Sequence, residues 1–334
     1  MNIRDRRAIT DSAKQSLANA KGDPKKILLI YLAIVTGLSL AVALISMLLS
    51  NRIADTGGLG NMGLRSVLST AKSILPMLQS IILLGLEIGY CTMALNITRG
   101  APVSNDTLFG GFRRFFPLLR AQILMSLLYL GLGLLSVYPG AYLFLMLPIS
   151  KKFYEAFTPV MESASQLTGT LTIDEATMAI LSEAMQPALW IMGALFMVLF
   201  IPTHYRYRMV TYRLIDQPHP GALRALRESR TMMRRNRFAL FRLDLKLWWF
   251  YALQGLTVAL CYGDMLIPAL GITLPWSENV TYFVFLSLSL LVQFVTYYLF
   301  MNRVSVTYAT AYTTLIPQEQ SKTTTPANPW QNRY

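Results

Sequence analysis

Cysteine and charge are both scarce in this chain of 334 residues. The two cysteines, Cys91 and Cys261, are too few for a disulfide scaffold. Charged residues make up 14% of the sequence, whereas soluble globular proteins carry about 25%. So few charges cannot cover a water-soluble body of this size, and the chain is also too apolar for intrinsic disorder.

Long apolar runs fill the sequence instead: hydrophobic residues make up 54% and the mean hydropathy is +0.42. A helix needs roughly 20 mostly apolar residues to cross a bilayer core of about 30 Å. Six segments meet this requirement, at 27–49, 74–96, 118–138, 188–212, 241–262 and 280–301. The sequence therefore predicts an all-α bundle of six transmembrane helices, with residues 27–315 as its membrane domain. Pro139 and Pro202 are expected to end or bend the third and fourth spans.

The positions of Lys and Arg predict the orientation of the spans. Basic residues number seven in 1–26, four in 97–120, eleven in 203–246 and three after residue 302, which leaves five for the alternate loops. This distribution predicts that both termini are cytoplasmic. A cytoplasmic location also follows for three segments, the basic segment 1–26, an Arg-rich segment 213–240 and a disordered tail 316–334. The net charge of +13 requires no nucleic acid, because positive-inside bias and anionic lipid account for it.

The outer loops carry few basic residues, and the loop 150–187 is net acidic. Within it Thr172 and Glu175 have the spacing of a capping box, which predicts a short separate helix over 176–185.

The cytoplasmic segments resemble one another and suggest three repeated hairpin units, at 8–96, 105–215 and 222–312. Each unit would contain an interfacial segment, an outgoing span and a returning span. Residues 115–122 align with 237–244, which pairs Phe116 with Phe238, Leu118 with Leu240 and Arg120 with Arg242. The alternative is that any positive-inside protein repeats this order by necessity.

The segment 222–233 is amphipathic by helical spacing. Leu223, Leu226 and Met233 are expected on an apolar face, with Arg224, Arg227 and Arg230 opposite. A basic amphipathic helix of this kind lies in the headgroup plane of a membrane. These arginines are therefore candidate contacts for anionic lipid.

Several short motifs together resemble a bacterial integral-membrane family called domain of unknown function 975. The matching residues are Asp106, Phe109 and Phe112, then Pro202 and Arg206, Asp216-Gln217-Pro218, Ala225-Leu226 with Ser229, Met233, and Phe238, Phe241, Asp244 and Leu245. Thr203 stands where the family usually has glycine. The resemblance implies a multi-pass inner-membrane protein, and because the family has no established activity it assigns no catalytic residue.

Glu87 is the one carboxylate well inside a predicted span, where an ionisable side chain is costly and needs a partner or water. It could bind a proton or cation in a transporter or channel. Alternatively it forms a structural ion pair with Arg120, Arg242 or Lys246. Gly85 and Gly89 form a G-x-x-x-G pair on the opposite side of this helix, which predicts close approach of a neighbour.

The sequence His204-Tyr205-Arg206-Tyr207-Arg208 predicts an aromatic and basic belt at the inner interface. The sharper alternative is a headgroup phosphate site with Arg206 and Arg208 as donors. Asp244 and Lys246 lie about one turn inside the membrane interface. Asp244 is expected to pair with Arg242, Lys246 or an arginine of 224–237.

No motif of an enzyme, a nucleotide-binding loop or a metal site occurs in the sequence, so we predict a non-enzymatic protein without cofactor. The most favoured function is a membrane scaffold that binds lipid, anionic at the cytoplasmic face, or an unknown protein partner. The alternative is a small-solute or ion transporter or channel that uses Glu87.

Overall fold

The structure is a computed structural model that describes residues 5–55, 62–155, 157–158, 175–217, 221–269 and 275–316. The described residues form an all-α fold. Two compact units divide the chain, the first from Met1–Leu119 and Met209–Tyr334 and the second from Arg120–Arg208.

The helices follow in chain order and are numbered here for reference. They are α1 (Arg6–Ala18), α2 (Pro24–Asp55), α3 (Met62–Thr98), α4 (Asn105–Phe109), α5 (Phe115–Met146), α6 (Glu175–Tyr207), α7 (Val210–Asp216), α8 (Gly221–Met233), α9 (Arg237–Lys246), α10 (Trp248–Cys261), α11 (Gly263–Ala269) and α12 (Glu278–Leu315). Short 3₁₀ turns lie at Gly110–Arg114 and Pro148–Ser150.

Five helices among the described residues are long and apolar enough to cross a membrane, namely α2, α3, α5, α6 and α12. They coincide with five of the six predicted spans. The remaining predicted span, 241–262, is divided between α9 and α10 at Leu247. The Leu247 N–H there donates to the Asp244 carbonyl at 2.9 Å, a tightened 3₁₀-type turn that no proline or glycine announces.

The second unit contains most of α5 and all of α6, and prolines in both helices lie inside them. The helix α5 continues past Pro139, and Gly140 is buried against Met192, whose Cγ would lie 2.6 Å from a Cβ at Gly140. Close packing therefore keeps the helix continuous where the sequence predicted an end or a bend. Pro202 likewise lies within α6.

The predicted outer loop 150–187 differs from the structure at both ends. A helical turn covers 151–155, and α6 begins at Glu175, so residues 176–185 belong to a long helix rather than a separate short one. Residues 159–174 of this loop, and all of the predicted tail except Ile316, lie outside the described residues.

The core of the first unit lies around the C-terminal part of α12. Every residue from 304 to 312 is buried, and α1, α2, α3 and α10 pack against this helix. By contrast, apolar side chains elsewhere on the long helices are exposed, for example Val67 at 65% and Met77 at 66%. Apolar side chains that a bilayer can cover thus alternate with a packed body at the helix ends.

Candidate functional site

The glycine pair of α3 accepts the segment 105–114. A Cβ at Gly89 would overlap the Leu108 carbonyl oxygen, and one at Gly85 would overlap the Phe112 ring. Gly111 in turn lies directly on the backbone of Gly85 and Gly89. The predicted close approach is therefore present, but its partner is a short helix with a 3₁₀ turn rather than another span.

A charged cluster joins α7 to α8 and centres on Arg213, whose side chain is 6% exposed. The Nε of Arg213 donates to Glu228 Oε2 at 2.5 Å, and its Nη2 donates to Gln217 Oε1 at 2.9 Å. Arg224 completes the cluster from one turn earlier on α8, donating to Glu228 Oε1 at 2.9 Å. Two cations therefore share the carboxylate of Glu228.

The same cluster extends to α3 and α12 through Asp216. Arg99 at the end of α3 donates to Asp216 Oδ1 at 2.7 Å, and the Tyr312 hydroxyl donates to Oδ2 at 3.1 Å. The Tyr312 ring also stacks on Tyr212, with centroids 5.5 Å apart. Because charge-assisted hydrogen bonds are stronger than neutral ones, the cluster fixes four helices to one another.

The electrostatics of Glu228 combine opposing effects. Desolvation acts to raise the pKa of its carboxyl, but the hydrogen bonds and charges of Arg213 and Arg224 outweigh it and leave the pKa below the ordinary value of 4.5. A lowered native pKa means that the folded state favours the ionised form more than the unfolded state does. This contribution to stability is present above about pH 4.5 and is lost as the pH falls through the native pKa.

We expect Glu228→Gln to reduce the acid sensitivity of folding. The variant should be less stable than the wild type at about pH 7, and its stability should change less between about pH 6 and about pH 3. Thermal unfolding in detergent across this range measures both effects. Parallel pH profiles for the two proteins would contradict the assignment.

Asp244 and Lys246 lie at the end of α9 and contact different helices. Asp244 is buried and accepts a hydrogen bond of 2.6 Å from the Tyr308 hydroxyl, which also contacts the Tyr251 hydroxyl. Lys246 is exposed and donates to Thr10 Oγ1 of α1 at 2.7 Å. These residues therefore connect α9 to α12 and α1.

Glu87 is exposed at the surface of the first unit, on the side of α3 away from the buried Gly85 and Gly89. Within this unit the expected ion pairs are absent among the described residues, since Lys246 contacts Thr10 and Arg242 lies over the Phe238 ring at 4.4 Å. Arg120 belongs to the second unit. The role of Glu87 in transport stays a prediction.

Arg206 and Arg208 lie at the end of α6 and in the turn after it, in the second unit. Arg208 Nη1 lies 3.3 Å from His204 Nε2, and its guanidinium lies 5.7 Å from the centre of the Tyr205 ring. His204 also stacks on Phe200. The side chains thus form the predicted aromatic and basic group, in which Arg208 is already engaged by its neighbours.

The helix α8 packs through small residues rather than through leucine. Ala225, Ser229 and Met233 form its buried face, whereas Leu223 is 70% exposed among the arginines. Arg227 and Arg230 are exposed, as are Arg234 and Arg235 in the following turn. None of these four makes an ion pair with a described carboxylate.

The sequence analysis missed the residues of the charged cluster, Arg99, Arg213, Asp216, Glu228 and Tyr312. Asp216 was noticed only as part of a family motif before Pro218. The pairing of Arg213 with Glu228 spans fifteen positions and depends on the fold of α7 onto α8. The alternation of arginine and carboxylate through 213–228 was the one available signal.

Five long apolar helices and a packed body at their ends define a multi-pass α-helical membrane protein. The family model described as Protein of unknown function (DUF975) matches residues 1–308. The chain therefore belongs to this family, as the sequence motifs indicated. Among the curated proteins and the solved structures there is no match.

Proposed function

We propose that the protein is a non-enzymatic, six-span protein of the bacterial inner membrane that binds anionic phospholipid at its cytoplasmic face. The binding surface is formed by Arg227, Arg230, Arg234 and Arg235, here called the arginine surface. The observation that carries this proposal is that all four are exposed and make no ion pair with a described carboxylate. The other two predicted contacts, Arg224 on Glu228 and Arg208 beside His204, have partners already.

The surroundings of the arginine surface suit a membrane interface. Leu223 lies among the arginines, and Phe238 and Phe241 at the start of α9 are 62% and 37% exposed. Apolar side chains beside guanidinium groups fit the boundary between headgroups and acyl chains, where each finds its preferred environment. The buried face of α8 holds this surface outward, because Ala225 and Ser229 face the body of the unit.

The proposed six-span topology requires α9 and α10 to cross the membrane together. The 14 residues of α10 extend about 21 Å, which is shorter than a bilayer core of about 30 Å. The preceding α9 can supply the remainder across the tight turn at Leu247. With six spans, the positive-inside distribution of Lys and Arg puts both termini and the arginine surface in the cytoplasm.

The exposure of aligned residues supports the proposed repeat. Phe116 and Phe238 are 71% and 62% exposed, whereas Leu118 and Leu240 are 4% and 0% exposed. Each pair thus has the same environment in its own segment, as expected of equivalent positions in repeated units.

The energy available from the arginine surface is sufficient for selective lipid binding. A Lys or Arg beside an anionic membrane surface contributes about 1 kcal/mol. Loss of three such residues therefore removes about 3 kcal/mol, or roughly a hundredfold in affinity.

We expect R227Q/R230Q/R234Q to lose selective binding of phosphatidylglycerol. The full-length protein is reconstituted in nanodiscs of mixed phosphatidylglycerol and phosphatidylcholine. The enrichment of the anionic lipid around the protein is then measured by mass spectrometry of the gently released complexes. Wild-type enrichment should fall as salt is raised, because surface electrostatics are screened.

The matched control is R52Q/R65Q/K72Q, which removes the same charge from three exposed residues of the predicted outer side. This control should keep the enrichment. Equal enrichment in the wild type and the R227Q/R230Q/R234Q variant would overturn the proposal.

A further inference from the structure

The carboxylate of Glu87 has an unmet charge within a membrane-spanning helix. It is exposed at the surface of the first unit and makes neither an ion pair nor a hydrogen bond with a described residue. Ionisable groups at membrane depth are costly unless they face protein, water or a ligand. A group held there without a protein partner points to an external one.

Polar side chains from three other helices surround this carboxylate. The charge of Glu87 acts on the hydroxyls of Tyr31 in α2 and Tyr297 in α12. The Tyr297 hydroxyl donates to Gln254 Oε1 of α10 at 3.4 Å, and Gln293 lies beside the same hydroxyl. Four helices therefore contribute to one polar group in an otherwise apolar region.

One amide of this group lacks a hydrogen-bond partner. Gln254 Nε2 is buried and has no acceptor within the part of the chain that the structure describes. A buried donor without an acceptor costs about 1–3 kcal/mol. The site thus combines an unmet acceptor, the Glu87 carboxylate, with an unmet donor, the Gln254 amide.

Aromatic rings form the walls of the site. The Tyr31 ring lies 5.0 Å from that of Tyr90, and the Tyr297 ring stacks on Phe250 with centroids 6.3 Å apart. Aromatic faces attract organic cations. Their presence beside a carboxylate favours an ammonium group over a strongly hydrated metal ion.

The donor set also excludes a divalent metal. Calcium takes six to eight oxygen ligands and zinc takes nitrogen or sulfur ligands, whereas this site offers one carboxylate. No group of three His, Cys, Asp or Glu occurs among the residues that were described. A primary ammonium group has three N–H donors, which one carboxylate together with phenol and amide oxygens can accept.

We propose that Glu87, Tyr31, Tyr297 and Gln254 bind a primary ammonium group that carries an oxygen acceptor nearby. The ammonium contacts Glu87 and the tyrosines, and the acceptor oxygen receives the Gln254 amide. Tyr31 lies seven residues after Pro24, about 10 Å along α2 from its start. That depth is within reach of a lipid headgroup, so the ligand is either phosphatidylethanolamine or a soluble amino alcohol of the same chemistry.

The test compares phosphatidylethanolamine with phosphatidylcholine, whose quaternary nitrogen has no N–H to donate. The full chain is reconstituted in nanodiscs that contain both lipids. We expect phosphatidylethanolamine to be enriched around the wild type, and the enrichment to fall about tenfold in Glu87→Gln, the loss expected for one charge-assisted hydrogen bond. Glu155→Gln, which removes an exposed carboxylate of the second unit, is the matched control and should keep the enrichment.

A second arm distinguishes the source of the ammonium. Ethanolamine is added to the protein in pure phosphatidylcholine nanodiscs, and thermal stabilisation is measured. Stabilisation that depends on Glu87, without lipid enrichment, assigns the site to a soluble amine. Enrichment and stabilisation that are both independent of Glu87 overturn the proposal.

Two conservative variants cover the case in which Glu87→Gln fails to fold. Tyr31→Phe and Tyr297→Phe each remove one hydroxyl, and each should weaken phosphatidylethanolamine enrichment about threefold or more. If both keep the wild-type enrichment, the proposal is overturned. The arginine surface is separate from this site, so phosphatidylglycerol enrichment should be unchanged in all three variants.

Discussion

Gly89→Ala is expected to destabilise the protein by more than about 4 kcal/mol, a loss reserved for severe structural conflicts. A methyl group at this position would overlap the carbonyl oxygen of Leu108. The obstacle is main chain, which cannot rotate away as a side chain can, so the segment 105–114 must leave α3. Thermal unfolding in detergent should show the loss, and proteolysis at the exposed Arg113 should become faster.

Gly37→Ala provides the control for this substitution. Gly37 also lies within a long helix of the first unit, but nothing lies within 4 Å of a Cβ built there. Alanine is favoured over glycine inside helices by roughly 0.5–1 kcal/mol, so this variant should be neutral or slightly more stable. Similar behaviour of the two variants would show that the contact of Gly89 with Leu108 does not exist.

Arg213→Met is expected to cost about 3–5 kcal/mol, the usual effect of removing one member of a buried ion pair. Methionine has a similar length and keeps the apolar packing of the stem. It cannot supply the hydrogen bonds to Glu228 and Gln217. The half-buried carboxylate of Glu228 then loses the nearer of its two cations, and the connection between α7 and α8 weakens.

Arg224→Gln tests whether burial sets this cost. Arg224 contacts the same carboxylate from a side chain that is 68% exposed and one turn earlier on the same helix. Exposed pairs of this spacing contribute about 0.3–0.5 kcal/mol, so the variant should be close to the wild type. If both arginine variants lose less than about 1 kcal/mol, the cluster does not stabilise the fold.

The features that the sequence predicted well depend on local composition. Apolar runs of 20 or more residues predicted five long helices, because the length required by a bilayer is visible in any single segment. The opposite orientation of Gly89 and Glu87 followed from the helical angle between them, since two positions differ by about 200°. In the structure Gly89 is buried and Glu87 is exposed.

The features that the sequence did not predict depend on tertiary packing. Leu223 was expected on the apolar face of its helix, but α8 packs closely on α7, and only small side chains such as Ala225 and Ser229 fit there. Helical spacing identifies a face but does not identify the neighbour against which that face packs. The interruption at Leu247 has no local signal, because the residues around it are ordinary helix formers.

The contacts of Asp244 illustrate the same limit. Its carboxylate was expected beside an arginine or lysine close in sequence, because charge pairing is the commonest solution for a buried acid. The Tyr308 hydroxyl, 64 positions later, donates a hydrogen bond to it instead. Such a pairing depends on the order in which helices assemble.

The burial of residues 304–312 among α1, α2, α3 and α10 has a consequence for biosynthesis. Ile9 and Ala13 of α1 lie against a helix whose final turns leave the ribosome about 300 residues later, so their burial must wait for translation to be nearly complete. Until then the earlier helices occupy the bilayer as loosely associated hairpins. Arrival of the last helix converts them into a single cooperative body.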